Sequence, residues 1–465
     1  MVSLQEDGIS RVDVAVVGAG PGGLATAAVC AHYGLDVTVV DEQPTPGGQI
    51  YRGLTRASEA LQNVLGEDYR AGAPLVSGLN DGRVDYRPGT SVWEVTPEKI
   101  LHLSSDDRSS YLAASQVVLA TGAMERPFPI PGWTLPGVMT AGAAQILLKT
   151  AAAVAAGPVV LAGCGPLLYL VANQYLAAGG QVIALVDTTD SDDYRRAARH
   201  VVSAALNLPA IVKGLRMIRA LKRAGIPMYT GASDFKAIGE ERVRAFEFRA
   251  KGRVHRLETN VLLLHQGVVP NTQATWSLRV PHTWSDQQLC WLAESSPVGE
   301  LSGTDGIFAV GDNAMILGAE AAAVQGRMVG FEIACRLGRL SRAECDRQTA
   351  GLARQLTRAR GLRRFLDALY RPKLEHRVPA DAVPVCRCEE VTAGELRAQV
   401  ALGCLGPNQL KSFSRCGMGP CQGRQCGLVV TEIIAAERGV EPEAVGYFRV
   451  RSPIKRVTLG QLTQD

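Results

Sequence analysis

A glycine-rich turn near the start of the chain is the feature that most constrains its fold. The apolar run 12–17 leads into the turn residues Gly18, Gly20, Pro21, Gly22 and Gly23. In a strand–turn–helix unit of this kind the first glycine permits the tight turn, the second lets a pyrophosphate approach the backbone, and the third lets the helix pack on the strand. The N-terminus of that helix offers free N–H groups and a partial positive charge to phosphate. The pattern therefore predicts a nucleotide-binding βαβ unit.

An acidic residue ends the next strand-like run. Asp41 follows the segment 36–40, about 20 residues after the last glycine, where an acid accepts hydrogen bonds from an adenosine ribose. Glu42 is the adjacent competitor for that role. Strand, turn, helix, second strand and terminal acid together indicate a dinucleotide site more strongly than the glycines alone.

A second, less complete nucleotide unit follows about one domain later. The strand-like run 158–162 leads into Gly163 and Gly165, but Leu168 stands where the third glycine is expected. The next strand ends in an acid, Asp187. An adenine nucleotide such as NAD or ATP would fit this pattern, and so would a degenerate structural copy.

The rest of the composition narrows the class of protein. Strand-like and helical runs alternate over residues 11–330 of the 465, which is typical of α/β folds with parallel sheets covered by helices. The uncharged stretch 150–186 is broken by glycine and proline, so a buried βαβ unit is favoured over a membrane-spanning helix. A net charge of +4 gives no field that would indicate nucleic acid binding. Residues 1–10 hold no apolar run, which predicts a cytoplasmic protein without a disulfide framework.

Cysteines are concentrated near the C-terminus. Two closely spaced pairs stand out, Cys386 with Cys388 and Cys421 with Cys426. Four thiolates suit a [2Fe–2S] cluster, with two ligands on each iron, and a Cys₄ zinc site is the alternative. Cys416 lies outside this pairing and is either a spare thiol or an alternative ligand.

Further motifs carry a resemblance to a known family. They are Gly48 and Gln49 after the acid, then Ala120, Thr121 and Gly122, and finally Gly311 and Asp312. These segments resemble the glutathione-reductase-like flavoproteins, which have two dinucleotide-binding domains. The resemblance implies FAD, with Asp312 bonded to the ribityl or pyrophosphate region and the helix after Gly318 directed at the isoalloxazine. Residues 49–60 contain no cysteine, so disulfide reductase activity is set aside.

The C-terminal cysteine segment is similar to the bacterioferritin-associated-ferredoxin-like [2Fe–2S] module. Over nearly its full length the chain resembles the larger flavin-binding subunit of heteromeric amino-acid dehydrogenases. That group includes octopine and nopaline oxidases, D-hydroxyproline and dye-linked proline dehydrogenases, and hydrogen cyanide synthase. The resemblance implies that a partner flavin subunit oxidises an amino acid, opine or related secondary amine and that this chain carries the electrons. A small ferredoxin-like subunit is a further candidate partner, and a peripheral position at the inner membrane is the alternative to a free cytoplasmic one.

These observations predict an α/β fold with two Rossmann-like domains and a small helical [2Fe–2S]-binding domain. The expected divisions are an FAD-binding domain at 10–150 and 265–335, a second nucleotide-binding domain at 151–264, a helical linker at 336–378, a cluster domain at 379–445 and a tail at 446–465. Catalytic residues are not assigned. Two other functions remain open: a self-sufficient NAD(P)H oxidoreductase, and a non-catalytic iron-handling or docking flavoprotein.

Overall fold

The computed structural model describes residues 9–106 and 108–463. Its first region begins with the glycine-turn unit and ends at the first long connecting helix. The strands are β1 (Ser10–Val17), β2 (Val37–Asp41), β3 (Val84–Pro88), β4 (Ser91–Val95), β5 (Ile100–Ser105), β6 (Arg108–Leu119), β7 (Ala123–Glu125) and β8 (Val138–Thr140). The helices are α1 (Pro21–His32), α2 (Glu59–Leu65), α3 (Glu67–Arg70), α4 (Ala73–Ser77) and α5 (Ala141–Ala151).

The first sheet has the strand order β3-β2-β1-β6-β5-β4. Strands β3, β2, β1 and β6 are parallel, whereas β4, β5 and β6 form an antiparallel meander. All five residues of β2 are buried, as expected of a strand inside a parallel sheet that is covered on both faces. The predicted Rossmann-like unit is confirmed.

The second region repeats the same architecture. Its strands are β9 (Val159–Cys164), β10 (Val182–Asp187), β11 (Met228–Tyr229), β12 (Ser233–Gly239), β13 (Val243–Ala250), β14 (Arg253–Glu258), β15 (Val261–Gln266) and β16 (Val268–Pro270). Its helices are α6 (Pro166–Ala177), α7 (Ser191–Ala198), α8 (Val201–Ala205) and α9 (Leu208–Arg223). A parallel sheet runs β11-β10-β9-β15-β8, and β12, β13 and β14 form a separate antiparallel sheet.

The change from one sheet to the other does not fall where the predicted boundaries at 150 and 265 lie. Strand β8, at 138–140, pairs with β15 in the second sheet, and β7 pairs with β16 in a two-stranded connection between the domains. The apolar residues of β8 therefore belong to the core of the second domain, with which Val138 is packed.

The chain then returns to the first domain through α10 (Gln273–Ser277), β17 (His282–Ser285), β18 (Cys290–Ala293), β19 (Ile307–Ala309) and α11 (Ala319–Arg336). Strand β19 pairs in parallel with β6 and completes the sheet. Helices α1 and α11 touch closely: a side chain on Gly326 would overlap the carbonyl of Gly22, and one on Gly330 would come within 2.7 Å of Val29 Cβ. Small residues at these crossings hold α11 against the nucleotide-binding turn.

The C-terminal part begins with a long helix and ends in the cysteine module. Its elements are α12 (Arg342–Leu369), α13 (Leu374–Arg377), β20 (Pro384–Cys386), β21 (Val391–Thr392), α14 (Ala393–Ala401), α15 (Pro407–Ser414), α16 (Gly427–Arg438), α17 (Pro442–Val445) and α18 (Leu459–Leu462). Val430, Ile433 and Ile434 of α16 are fully buried in the module's own core. None of the helices in the described ranges is long and apolar enough to cross a membrane.

The segment after 446 attaches the module to the first domain. Val450 and Ile454 are buried in the same apolar cluster as Val92 and Leu101 of the meander. The Ile454 N–H donates to the carbonyl oxygen of Trp93 at 2.8 Å. The predicted tail is therefore a packed strap across the meander.

Candidate functional site

A cleft of about 420 Å³ opens at the carboxyl ends of the first sheet's parallel strands. This is where open α/β sheets bind their ligands. Residues from every predicted segment of the first nucleotide site line it: Gly18, Gly20, Pro21, Gly22, Asp41, Glu42, Gly48, Gln49, Ala120, Thr121, Gly122, Gly311 and Asp312. Gly23 lies behind this surface and is buried.

The floor of the cleft is bare backbone that side chains would block. A Cβ on Gly18, whose φ is +107°, would come within 2.5 Å of the Ala120 carbonyl oxygen, and one on Gly48 within 2.9 Å of the Gly20 Cα. A side chain on Gly23 would overlap the Gly18 carbonyl. Helix α1 starts here with Pro21 at its first position. The floor therefore fits a pyrophosphate, which needs close backbone approach and free N–H groups.

Asp41 stands at the end of β2 and is 8% exposed. Its Oδ2 accepts the Ala19 N–H at 2.6 Å and its Oδ1 accepts the Gln43 N–H at 2.7 Å. Burial raises the pKa of Asp41, and the two amides oppose that rise. The carboxylate thus braces the glycine turn, and since each oxygen has two lone pairs, it keeps acceptor capacity for a ribose.

Glu42 has a different role from its neighbour. Its side chain is 45% exposed, and its Oε2 pairs with Lys455 Nζ of the C-terminal strap at 2.5 Å. From the sequence, Asp41 and Glu42 were competitors for the ribose. The geometry favours Asp41 as the residue that faces a nucleotide and gives Glu42 an anchoring contact.

The two segments named by the family resemblance also meet at the cleft. Ala120 donates its N–H to the Val17 carbonyl oxygen at 2.8 Å, and Thr121 Oγ1 donates to that of Asn271 at 3.2 Å. Asp312 Oδ1 accepts the N–H groups of Leu317 and Gly318, at 2.9 and 3.1 Å, in the turn that leads into α11. Its first oxygen is therefore a turn acceptor, while Oδ2 is available to a ligand.

One end of the cleft carries cations that the sequence did not single out. Lys149 of α5 is 5% exposed, and its ammonium donates to the Gln49 carbonyl oxygen at 3.0 Å and to Gln145 Oε1 at 2.9 Å. Burial, together with the positive charge of Arg52, lowers the pKa of Lys149 to about 7. Arg52 also lines the cleft and leaves its buried Nε without a partner within the described residues. This end favours a ligand group that accepts hydrogen bonds or carries negative charge.

The C-terminal module brings five cysteines to one place. The Sγ atoms of Cys386, Cys416 and Cys426 lie within 4.8 Å of one another and are buried. Cys388 is exposed and its thiol is paired with that of Cys421. The thiols of Cys416 and Cys426 direct hydrogen bonds at Cys386 and hold its pKa well below the usual value.

This donor set fits a sulfur-liganded metal centre. All four predicted ligands are in it, and Cys416, which sequence reasoning left as a spare or alternative thiol, completes the buried trio. By contrast, burial raises the pKa of Cys30 and of Cys290 to about 12, which keeps both as inert core thiols.

The cysteine loop reaches the nucleotide cleft. Arg424, between Cys421 and Cys426, lines the cleft together with Ile454 and Lys455 of the strap. Its guanidinium donates to the Ile454 carbonyl. Because Lys455 pairs with Glu42, this contact lies at the Asp41 end of the cleft, away from Lys149.

The second nucleotide unit is closed by the chain itself. Asp187 is 1% exposed and accepts hydrogen bonds from the Tyr169 hydroxyl and from the Thr189 N–H. Cys164 Sγ lies 3.5 Å from the Tyr370 carbonyl oxygen. Lys373 Nζ contacts Asp190 and Asp193 at 2.6 Å each. The segment after α12 therefore covers the acid at which a ribose would bind.

The glycines of that unit are likewise used by the fold. A side chain on Gly163 would overlap the His265 carbonyl, and one on Gly165 would come within 3.2 Å of His265 Nε2. Leu168, in the place of the third glycine, is fully buried in the domain core. His265 Nδ1 is held 2.7 Å from Glu125 Oε1. This geometry favours the degenerate structural copy that the sequence had left open.

Two Rossmann-like sheets, a glycine-floored cleft and a cysteine centre define a class: two-domain nucleotide-dependent flavoproteins with an added C-terminal module. Residues 12–328 match the family described as pyridine nucleotide-disulphide oxidoreductase, and residues 385–465 match the sarcosine oxidase A3 domain. The chain belongs to the pyridine nucleotide-disulphide oxidoreductase family. It is a FAD-dependent oxidoreductase, as the sequence predicted.

Relatives narrow the group within that family. The opine oxidase A subunit of Rhizobium meliloti is 40% identical over 472 residues, covering 100% of this chain and 89% of the relative. The opine oxidase A subunit of Agrobacterium tumefaciens (strain Ach5) is 41% identical, with 99% and 93% covered. The HcnB subunit of hydrogen cyanide synthase from Pseudomonas aeruginosa is 32% identical, with 94% and 96% covered. The predicted kinship with the larger subunits of these heteromeric oxidases is confirmed.

A solved structure agrees on the fold. L-proline dehydrogenase from P. horikoshii superposes with a TM-score of 0.71 at 19% identity, covering 100% of this chain and 82% of the other. At that identity the match concerns the fold alone.

Proposed function

We propose that this chain is the electron-carrying subunit of a heteromeric FAD-dependent dehydrogenase, in which a partner flavin subunit oxidises an amino acid, opine or related secondary amine. The observation that carries the proposal is Arg424, which belongs to the cysteine loop and also lines the nucleotide cleft. Two prospective redox sites are thereby joined in one chain. The full-length similarity to opine oxidase A subunits supports the choice of substrate class.

The residues of the cleft fit FAD. The backbone floor of Gly18, Gly20 and Gly48 would receive the pyrophosphate, and Asp41 would accept the ribose hydroxyls. Lys149 has three N–H groups and two acceptors within the chain, so one N–H is left to donate to a ligand. FAD supplies the ability to hold two electrons and release them singly.

The cysteine centre fits a [2Fe–2S] cluster held by Cys386, Cys388, Cys421 and Cys426. Cys426 caps the N-terminus of α16, where the helix dipole stabilises a thiolate. The loop containing Gly417 and Gly423 packs on the Phe448 ring, which keeps one side of the centre dry. A low-dielectric wall of this kind tunes the potential of a thiolate-held centre.

A partner subunit is part of the proposal because the two nucleotide units and the cysteine module leave no separate domain for an organic substrate within the described residues. The cleft is lined by residues that suit a dinucleotide, and the second unit is filled by the chain's own segment around Tyr370 and Lys373. The opine oxidase relatives are themselves, by their names, components of larger assemblies.

The test is to express the chain alone and together with the gene products that copurify with it. The complex is expected to oxidise an opine or secondary amine with a dye as acceptor, while the isolated chain releases FAD on denaturation and contains iron and acid-labile sulfide. Substrate oxidation by the isolated chain would contradict the division of labour. A preparation with zinc instead of iron would contradict the cluster.

A self-sufficient NAD(P)H oxidoreductase is the second candidate from the sequence. It requires a nicotinamide site in the second domain, and burial of Asp187 beneath Tyr169 argues against one. Anaerobic mixing with NADH separates the two: rapid bleaching of the flavin would favour this candidate. A non-catalytic scaffold is separated by potentiometry, since it would show no electron exchange between flavin and cluster.

A further inference from the structure

The cysteine centre has one exposed side. Cys388 is exposed, and two large apolar side chains stand beside it: Phe413 is 66% exposed and Met418 53% exposed. A side chain on Gly419 would overlap Cys388 Cβ, so the residue next to Met418 lies directly against that cysteine. We call Cys388, Phe413 and Met418 the docking face. Large apolar side chains grouped on a surface mark an interaction site more often than isolated ones do.

Four cations lie on the same side of the module and form what we call the basic rim: Arg279, Lys411, Arg449 and Arg451. Lys411 precedes Phe413 by two residues on α15, and Arg449 and Arg451 belong to the strap. Burial first, and then Arg449 and Arg451, lower the pKa of Arg279. Burial and Arg451 likewise lower the pKa of Lys411. The four side chains are thus close enough to repel one another.

The basic rim lacks the neutralising partners that other cations of the module have. Arg397 is paired with Asp381 and Glu437, and Arg415 with Glu389 at 2.9 Å. Within 9–106 and 108–463 no member of the rim forms an ion pair. Four cations without internal acids suit an acidic counterpart.

We propose that the docking face receives an acidic one-electron carrier protein, which accepts electrons from the centre beneath Cys388. The inference rests on the proposed function, because it takes the cysteines to hold a redox cluster. One electron leaves the reduced cluster and reduces the carrier's metal or flavin centre by one electron, with no bond made or broken. The basic rim steers the acidic carrier, and the apolar centre excludes water at the point of contact.

The size of the face favours a transient partner over a permanent subunit. Its apolar centre is two side chains, whereas permanent interfaces bury large apolar areas and weak electron-transfer encounters bury less than about 1,200 Å². A richer apolar surface lies on α8 and α9, where Val202, Leu206 and Leu208 are 80%, 67% and 58% exposed. A charged rim around a small apolar centre is what a fast, salt-sensitive encounter needs.

The experiment uses the purified protein with its copurifying subunits and an acidic plant-type [2Fe–2S] ferredoxin as the probe. Calorimetry measures binding, and stopped-flow spectroscopy measures ferredoxin reduction at low and high salt. The double variant Arg449→Glu/Arg451→Glu is expected to weaken binding about tenfold and to abolish most of the salt dependence. Arg244→Glu, an exposed residue of β13 in the second domain, is the matched control and should change neither. A basic cytochrome c should bind the double variant better than the wild type.

Equal ferredoxin binding by the wild type and the double variant would overturn the inference. So would hydrogen-exchange protection of residues 411–418 by a copurifying subunit, since that subunit would then be the occupant. Iron analysis separates this failure from that of the proposed function. A protein without iron refutes the cluster, whereas an iron-containing protein that ignores the charge reversal refutes only the docking face. The variant's unchanged iron content and circular dichroism establish that it folds.

Discussion

The Lys149 ammonium donates a hydrogen bond to the Gln49 carbonyl oxygen across 3.0 Å, at the end of the nucleotide cleft opposite the cysteine module. Gln145, which accepts a second bond from the ammonium, is held in turn by its own Nε2, which donates to Gln174 Oε1 at 2.8 Å. No acidic side chain contributes to the pKa of Lys149, which burial lowers to about 7. The fold therefore keeps a cation in the cleft at a cost.

That cost predicts how stability depends on pH. The pKa of Lys149 is about 7 in the folded chain against an ordinary 10.5, so the unfolded chain binds more protons between these values. The free energy of unfolding should therefore rise with pH from about 7 towards 10.5, by up to about 1.4 kcal/mol per pH unit from this group. Lys149→Met should flatten the rise in apoprotein denaturation curves, and Lys222→Met, at an exposed position of α9, is the control. Equal slopes for wild type and Lys149→Met would contradict the assignment.

Asp41 and Glu42 should differ sharply in their effect on nucleotide binding. Asp41→Asn removes the charge that holds the Ala19 and Gln43 amides, and a lost charge-assisted bond of about 1.5–3 kcal/mol corresponds to roughly tenfold or more in the FAD dissociation constant. Glu42→Gln loses only a half-exposed ion pair with Lys455, worth about 0–1 kcal/mol. Flavin fluorescence during titration of the apoprotein measures both. Similar losses in the two variants would show that Glu42, not Asp41, faces the ribose.

Much of the fold was predictable because it depends on local sequence. The glycine turn, the alternation of strands and helices, and the acids after β2 and β10 are all patterns that span only a few neighbouring residues. Strand β8 was not assigned to the second sheet, because a three-residue apolar run at 138–140 is equally compatible with either core. Only its pairing with β15, more than 120 residues later, decides it.

Within the site, residues that act through distant contacts were missed. Lys149 is one lysine in an otherwise apolar helix, which was a weak signal, and its direction depends on how α5 packs against the segment that contains Gln49. Arg424 lies in a glycine- and glutamine-rich loop, and its contact with the cleft depends on the strap carrying Ile454 across the meander. Neither arrangement has a local pattern.

The five clustered cysteines predict different results on substitution. Cys388→Ser and Cys421→Ser should each lose iron and the visible cluster absorption, because each removes one of two ligands from an iron. Cys416→Ser should retain them, since Cys386 and Cys426 remain as the buried pair. Iron and sulfide analysis with electron paramagnetic resonance of the dithionite-reduced protein measures the outcome. Cys404→Ser, in the module's apolar core, is the control for folding damage alone. Iron loss in Cys416→Ser with retention in Cys426→Ser would exchange the two roles.

The covered second nucleotide unit predicts that this chain binds adenine nucleotides at one site only. Asp187→Asn should leave nucleotide stoichiometry and affinity unchanged, because the Asp187 carboxylate is buried beneath the Tyr169 hydroxyl instead of facing a ligand. It should instead lower the free energy of unfolding by about 1–3 kcal/mol, the cost of disturbing a buried polar pair. Calorimetric titration of the apoprotein with ADP, followed by thermal denaturation, measures both quantities, and Asp192→Asn on the exposed first turn of α7 is the matched control. Two adenine nucleotides bound per wild-type chain, falling to one in Asp187→Asn, would mean that the segment around Tyr370 and Lys373 moves aside to admit a ligand.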